Sequence, residues 1–293
     1  MLLAGSLMGF VGLFVNVLVA PPWVIACIRG AFGSFFLTLF LIFRRSIKQI
    51  KLIKVNWPAA ILLALSNSFT ILLYFMTIIS SGLAFGAFIL YTGGIFAVLF
   101  MRIFLKEKIL TLHYFAFALA TGGVALIMEF WTGDFWNIGL VTGILSGICL
   151  GGNTLSKKIY YKELGSRACI GGEYPETPTI LAWWATLTMG LIFLIPSAFY
   201  FTNAPFPNVG IALLFGLVPT AIAFASFNFG LRADEGGDVL ILSYSEPVVA
   251  TIVGIFLGQT PSIFLLFGGA AIILANALIL FAKRESGLKP CEI

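Results

Sequence analysis

Apolar runs, each about as long as a membrane-crossing helix and separated by short basic clusters, fill this 293-residue chain. A spanning helix needs roughly 20 mostly apolar residues. Ten stretches qualify: 2–20, 23–43, 57–79, 82–103, 112–131, 138–155, 178–201, 208–231, 236–258 and 262–282. Sixty per cent of the residues are apolar and only 10% are charged, against ~45–50% and ~25% in soluble domains. A water-soluble fold of this size leaves too much surface wet to hide that apolar area. The reading is an all-α polytopic membrane protein with ten transmembrane helices. Connections as short as Pro21-Pro22 and Ser80-Ser81 make neighbouring helices antiparallel hairpins.

The net charge of +5 belongs to these connections. Arg44, Arg45, Lys48, Lys51 and Lys54 follow the second run, and Arg102, Lys106 and Lys108 follow the fourth. Lys157, Lys158, Lys162 and Arg167 follow the sixth, Arg232 the eighth, and Lys283, Arg284 and Lys289 the tenth. Sixteen of the 17 basic residues thus fall on one side of the membrane, and the other is Arg29 inside the second run. Basic loops stay cytoplasmic, so both termini are expected in the cytoplasm of a multi-pass protein of the cell (plasma or inner) membrane. The basic balance reads as topogenic, and no nucleic-acid partner is expected. No basic n-region or small-residue cleavage site opens the chain, so a cleaved signal peptide is not expected. Cys27 and Cys149 fall in apolar stretches and Cys169 and Cys291 on the cytoplasmic side; no disulfide is expected.

The chain also repeats itself. An offset of 153 residues aligns 72–94 with the stretch ending near 246, placing Tyr91 on Tyr244, Tyr74 on Phe227 and Ala84 on Gly237. An offset of 138 matches Gly5 to Gly143, Gly9 to Gly147 and Asn16 to Thr154, the difference being absorbed by the longer connection after the sixth run. Five helices per copy is an odd number, so the second copy enters the membrane upside down. Inverted repeats of this kind place a substrate site near the midplane between them. The expected units are 1–132 and 133–285, with 286–293 as a cytoplasmic tail.

This organisation resembles the drug/metabolite transporter superfamily, specifically its EamA-type members. The stretches PPWVIACIRGAFGS, FLKEKILTLHYFAFALATGGVAL and SYSEPVVATIVGIFLGQTPS carry the resemblance locally. It implies a ten-helix secondary transporter of small metabolites, plausibly an exporter of amino acids or amphipathic compounds. The family usually has an acid after the ninth helix; this chain has Gln259 there, the counterpart of Glu107, so a structural role of that acid is expected to be missing.

Small residues line helix faces: Gly139, Gly143, Gly147 and Gly151 at fourfold spacing, Gly5, Gly9 and Gly12 with Asn16, and Glu246, Ala250, Gly254 and Gly258. Such stripes let backbones approach and describe how the bundle closes. Helix breakers at Gly93, Gly94, Pro219 and Pro247 are candidate hinges, since broken backbone is tolerated where it lines a cavity; kinked packing is the competing explanation. Two charges lie deep. Arg29 is six residues past Trp23 and Glu246 ten past Gly236, roughly 9 and 15 Å into a ~30 Å core. At ~2.5–3.5 kcal/mol or more each, neither is expected to face lipid. They pair with one another as a structural lock or with substrate groups, and a transport role is favoured. Asn67, Tyr74, Tyr91, Asn153, Asn228 and Tyr244 complete the candidate substrate-binding set, the amides because every group of a full amide needs a partner. Ser68 and Thr92 are expected merely to bond the preceding turn.

One histidine, no CxxC and no HExxH or phosphate-binding glycine loop leave no motif for catalysis, a metal or a cofactor. Uphill transport would then draw on a coupling proton or ion, or on the substrate's own gradient. The expected partners are a small-molecule substrate and the lipid bilayer, with the protein a monomer or homodimer. The competing class is an integral membrane lipid-modifying enzyme or a protein translocating a lipid or sugar carrier. Such enzymes cluster acids or histidines near the interface, whereas Glu163, Glu173, Glu176, Asp234, Glu235 and Asp238 read as solvated loop acids.

Overall fold

A computed structural model describes residues 2–106, 111–129, 137–168, 172–226 and 245–285. Among these residues every regular element is helical. The first apolar run is two short helices, α1 (Leu2–Gly9) and α2 (Val11–Leu18), followed by α3 (Pro22–Phe43). A 3₁₀ segment (Ile47–Val55) leads into α4 (Trp57–Ser81). The fourth run is split into α5 (Leu83–Leu90) and α6 (Gly93–Leu105), and α7 (Thr111–Met128) follows. The second half holds α8 (Ile138–Leu164), α9 (Thr177–Ile192), α10 (Leu194–Phe201), α11 (Val209–Gly216), α12 (Ser245–Phe256) and α13 (Ile263–Glu285). A π-helical turn, Leu217–Ile222, continues α11.

Among the described residues, five helical stretches are long and apolar enough to cross a membrane: Pro22–Phe43, Trp57–Ser81, Leu83–Leu105, Ile138–Leu164 and Val209–Ser226. The α9–α10 pair, bent by 46°, makes a sixth span if counted as one, and Leu3–Leu18, Tyr114–Ile127, Ser245–Phe256 and Ile263–Leu278 are shorter apolar helices. Their outward side chains are apolar, as lipid requires: Phe35, Phe43, Phe199 and Phe256 are all more than half exposed. The helix expected to stop at 155 runs on to Leu164. Lys162 lies in its last turn, where a cation meets the negative end of the helix dipole, and Gly165 at φ +52° ends it.

The interior is built from close crossings. α4 packs along α8, α7 along α13, and α3 against α9. Where α3 crosses α9, a Cβ added to Gly30 would collide with the Gly190 backbone. The Gly139–Gly151 stripe of α8 faces the end of α4 and the split helix, where added Cβ atoms would strike Ser81, then Ile89, Thr92 and Phe96. That stripe was readable from its spacing; the Gly30–Gly190 crossing was not, because neither residue belongs to a repeated pattern. Gly30→Ala is expected to lower the thermal unfolding temperature in detergent, by the ~1–3 kcal/mol that overpacking costs. Gly122, with nothing within 4 Å of an added Cβ, is the control: Gly122→Ala should leave stability unchanged or raise it. Equal losses at both sites would contradict the crossing.

Candidate functional site

Arg29 comes from the middle of α3 and is only 5% exposed. Its guanidinium carbon lies 5.9 Å from the centre of the Phe75 ring and 5.7 Å from that of Phe215. A cation within about 6 Å of a ring centre is attracted by the ring quadrupole. Phe14 stacks on Phe215 at 5.2 Å, so the aromatic wall continues onto α2. The Arg29 Nε donates to Thr220 Oγ1 at 3.3 Å.

Pro219 explains why Thr220 is available. Proline has no N–H, so the carbonyl four residues earlier loses its helical donor; here that carbonyl belongs to Phe215. The Thr220 hydroxyl donates to it at 3.1 Å, closing the π turn Leu217–Ile222 and leaving a lone pair for Arg29. Pro219 therefore shapes the Arg29 site directly, and π turns are frequent at functional positions.

A second helix break supplies the opposite charge. Between α5 and α6, Tyr91 and Thr92 leave the helix. Asn276 of α13 donates from Nδ2 to the Tyr91 carbonyl at 3.0 Å, and its Oδ1 occupies the place where a Cβ on Gly94 would stand. The Tyr91 hydroxyl donates to Glu246 Oε2 at 3.1 Å, and Glu246 is 9% exposed. Arg29, Tyr74 and Glu246 are close enough to act on one another electrostatically, yet Arg29 and Glu246 form no ion pair within 4.0 Å.

Of the expected site residues, Arg29, Tyr74, Tyr91 and Glu246 are thus brought together. Asn67 and Asn153 form a separate polar bridge. Asn67 donates to the Ala185 carbonyl at 3.2 Å and accepts from Asn153 at 3.1 Å, tying α4, α8 and α9. This leaves the buried Asn153 Oδ1 without a partner. Asn228 and Tyr244 lie outside the described residues. Among the candidate hinges, Gly93 and Gly94 open α6 directly after the break, Pro219 lies in the π turn, and Pro247 is in the first turn of α12 as described. Ser68 and Thr92 do bond the preceding turn.

Two expectations need correction. Glu176 is no solvated loop acid: it is 2% exposed, accepts from Arg44 Nε at 3.3 Å and from Thr179 at 3.0 Å. The connection folds back over the ends of α3 and α9, which linear spacing does not reveal. Gln259 is not a lost structural role either. Its Oε1 accepts the Leu83 N–H at 2.9 Å, satisfying an orphan donor at the start of α5; an amide oxygen makes this bond without the added strength a charged acceptor would bring. Beside it a cavity of ≈340 Å³ is lined by Gly82, Phe85, Thr251, Gln259 and Ser262. Thr220, Asn276 and the Phe14–Phe75–Phe215 wall were missed. Asn276 satisfied the same criterion as Asn153, an amide within an apolar run; the three rings are indistinguishable among 30 phenylalanines.

The described helices thus pack as an apolar bundle with two opposite charges buried among broken helices. The EamA-like transporter family model matches residues 1–129 and 137–281, and the chain belongs to that family, whose members are multi-pass membrane proteins. It is 29% identical over 228 residues to an uncharacterized transporter of Archaeoglobus fulgidus, covering 76% of this chain and 75% of that one. It is 26% identical over 204 residues to a probable terminal-alkyne amino-acid exporter of Streptantibioticus cattleyicolor, covering 66% of this chain and 63% of the relative. A solved crystal structure with 18% identity shares the fold, with a TM-score of 0.62 over 96% of this chain and 95% of that chain.

Thr220→Val keeps the shape but removes both the acceptor for Arg29 and the donor for the Phe215 carbonyl. It is expected to cost about 1–3 kcal/mol of stability, the penalty for stranding buried polar groups, read as a lower unfolding temperature in detergent. Thr220→Ser, which keeps the hydroxyl, should stay close to the parent; equal losses in both would mean that only the methyl group matters.

Proposed function

We propose that the protein is a secondary transporter that exports small amphipathic metabolites such as amino acids by alternating access. The observation that carries this is the Arg29–Glu246 arrangement: two opposite charges buried in one interior, each held by a neutral hydroxyl and not by the other. A structural lock would close the pair, because separated buried charges are costly. An open pair suits a zwitterion, with Arg29 taking an anionic group and Glu246 an amine or a coupling proton. The phenylalanine wall offers contact to an apolar side chain, and Asn67 and Asn153 provide a second polar station. Asn228 and Tyr244 remain candidates from the repeat alone. The amino-acid exporter named among the relatives supports the substrate class.

In this reading ten spans form two inverted five-helix units, 1–132 and 133–285, with both termini in the cytoplasm of the cell membrane. The two stretches matched by the family support the division. So do the contacts: α3 meets α9 with Gly33 beside Thr186, two residues separated by the 153-residue offset, and α6 on α8 has its counterpart in α12 on α1. Rocking one unit against the other would expose the midplane charges to each side in turn, with Gly93, Gly94, Pro219 and Pro247 at the flexing points. The broken backbone at Tyr91 and Phe215 favours this over a lipid-modifying enzyme, which would need clustered interfacial chemistry.

Glu246→Gln and Arg29→Gln are each expected to reduce flux of labelled amino acids in proteoliposomes by about 10–100-fold, the worth of one hydrogen bond to a charged group. Thermal stability should change little, and the double variant should remain inactive. If the single variants instead lose stability and the double variant recovers both stability and flux, the charges are a structural pair.

A further inference from the structure

The nine residues Ile47–Val55 read IKQIKLIKV, three tandem Ile-Lys-x triplets. They form a 3₁₀ helix over their full length, although such helices are uncommon beyond three or four residues. With 3.0 residues per turn, side chains three apart eclipse, so a three-residue repeat becomes three straight stripes. The isoleucine stripe is apolar: Ile53 is 3% exposed, and Ile47 and Ile50 pack on the same cluster with Leu41, Leu63 and Tyr160, joined by the buried Leu52 of the adjacent stripe. The Tyr160 hydroxyl lies 2.9 Å from the carbonyls of both Ile53 and Asn56, pinning the helix so that it cannot roll. The lysine stripe is Lys48, Lys51 and Lys54, all exposed and about 6 Å apart along the axis at 2.0 Å rise per residue.

None of these lysines has a hydrogen bond or ion pair among the described residues. The neighbouring acids are engaged elsewhere: Glu163 accepts from Asn56 and Glu176 from Arg44 and Thr179. The stripe is bracketed by exposed apolar side chains, Phe43 at 85% on one end and Val55 and Trp57 at 49% and 50% on the other. This flanking places the helix at a membrane surface. A topogenic role asks only for positive charge on that side; it does not ask for a triplet repeat in register with the helix turn, or for its apolar stripe to be pinned.

We propose that the Lys48–Lys51–Lys54 stripe is a docking surface for the headgroups of anionic phospholipids, which seats the α3–α4 connection on the membrane. The proposal rests on the membrane-transporter reading only in needing a bilayer beside this helix; it does not depend on the substrate. Each lysine held near an anionic surface contributes about five-fold to binding, and the attraction weakens with salt.

Native mass spectrometry of the purified full chain in detergent with equal phosphatidylglycerol and phosphatidylcholine tests this. The parent protein should retain phosphatidylglycerol preferentially, and Lys48→Gln/Lys51→Gln/Lys54→Gln should lower that retention at least tenfold. Arg102→Gln/Lys106→Gln/Lys162→Gln, with the same change in net charge, should retain it. A register variant, Lys48→Gln/Gln49→Lys/Lys54→Val/Val55→Lys, keeps composition and charge, so insertion is preserved even if the triple variant fails to insert; retention should fall at least five-fold. No lipid preference, equal losses in the two triple variants, an unchanged register variant, or displacement of the lipid by excess inorganic phosphate would each overturn the proposal. Failure of the Arg29 and Glu246 predictions would bear on the transport reading alone.

Discussion

Lipid gives a backbone carbonyl or amide no hydrogen bond, so every place where a helix stops or bends inside the bundle needs a partner from elsewhere in the chain. This requirement organises the interior. The carbonyl freed by Pro219 is met by Thr220, the carbonyl at the α5–α6 break by Asn276 of α13, and the first amide of α5 by Gln259 from beyond α12. Two of these three partners come from distant parts of the chain, so the breaks join elements as well as interrupt them. At the helix starts the same need is met locally, with Asn56, Asn137 and Asn208 accepting from the first turn of α4, α8 and α11.

The charged site is a by-product of those repairs. Thr220 is turned toward its own chain by the missing proline amide, and in that position it can also accept from Arg29. Tyr91 is at the break held by Asn276, and from there its hydroxyl reaches Glu246. Each charge is therefore oriented by a helix defect contributed by another helix, and the Gly94 position is fixed by the volume of Asn276. An Arg–Glu contact would have satisfied both charges more directly. Its absence in an interior lined by Phe75 and Phe215 leaves each charge held by a neutral hydroxyl, Thr220 for Arg29 and Tyr91 for Glu246.

Much of this was legible in the sequence where a physical penalty forces the choice. Arg29 and Glu246 stood out because a charge in an apolar run is expensive, and the α8 glycines because fourfold spacing has one structural meaning. Partners were less visible than the groups they serve. Nothing in the spacing distinguishes Phe75 or Phe215 from other phenylalanines, and Thr220 looks like any threonine bonding its own turn. Glu176 and Gln259 were misjudged for opposite reasons. The first lies in a connection that folds inward, so its linear neighbourhood suggested water; the second lacks a charge, yet the task at Leu83 needs only an acceptor.

Transport requires that the states facing either side differ in packing while the charges stay satisfied in both. Backbone repaired by side-chain hydrogen bonds suits that demand better than an uninterrupted helix. The Thr220 and Asn276 bonds are single contacts of about 1 kcal/mol each, weak enough to exchange partners as units move, whereas the glycine crossings at Gly30–Gly190 and along α8 are rigid contacts without slack. In the proposed alternating access, the glycine contacts would be fixed pivots and the hydroxyl and amide groups adjustable joints. Those joints lie, in this mechanism, on the residues that orient Arg29 and Glu246, so motion at either break would re-aim a charge, and a ligand engaging both charges would bias the breaks.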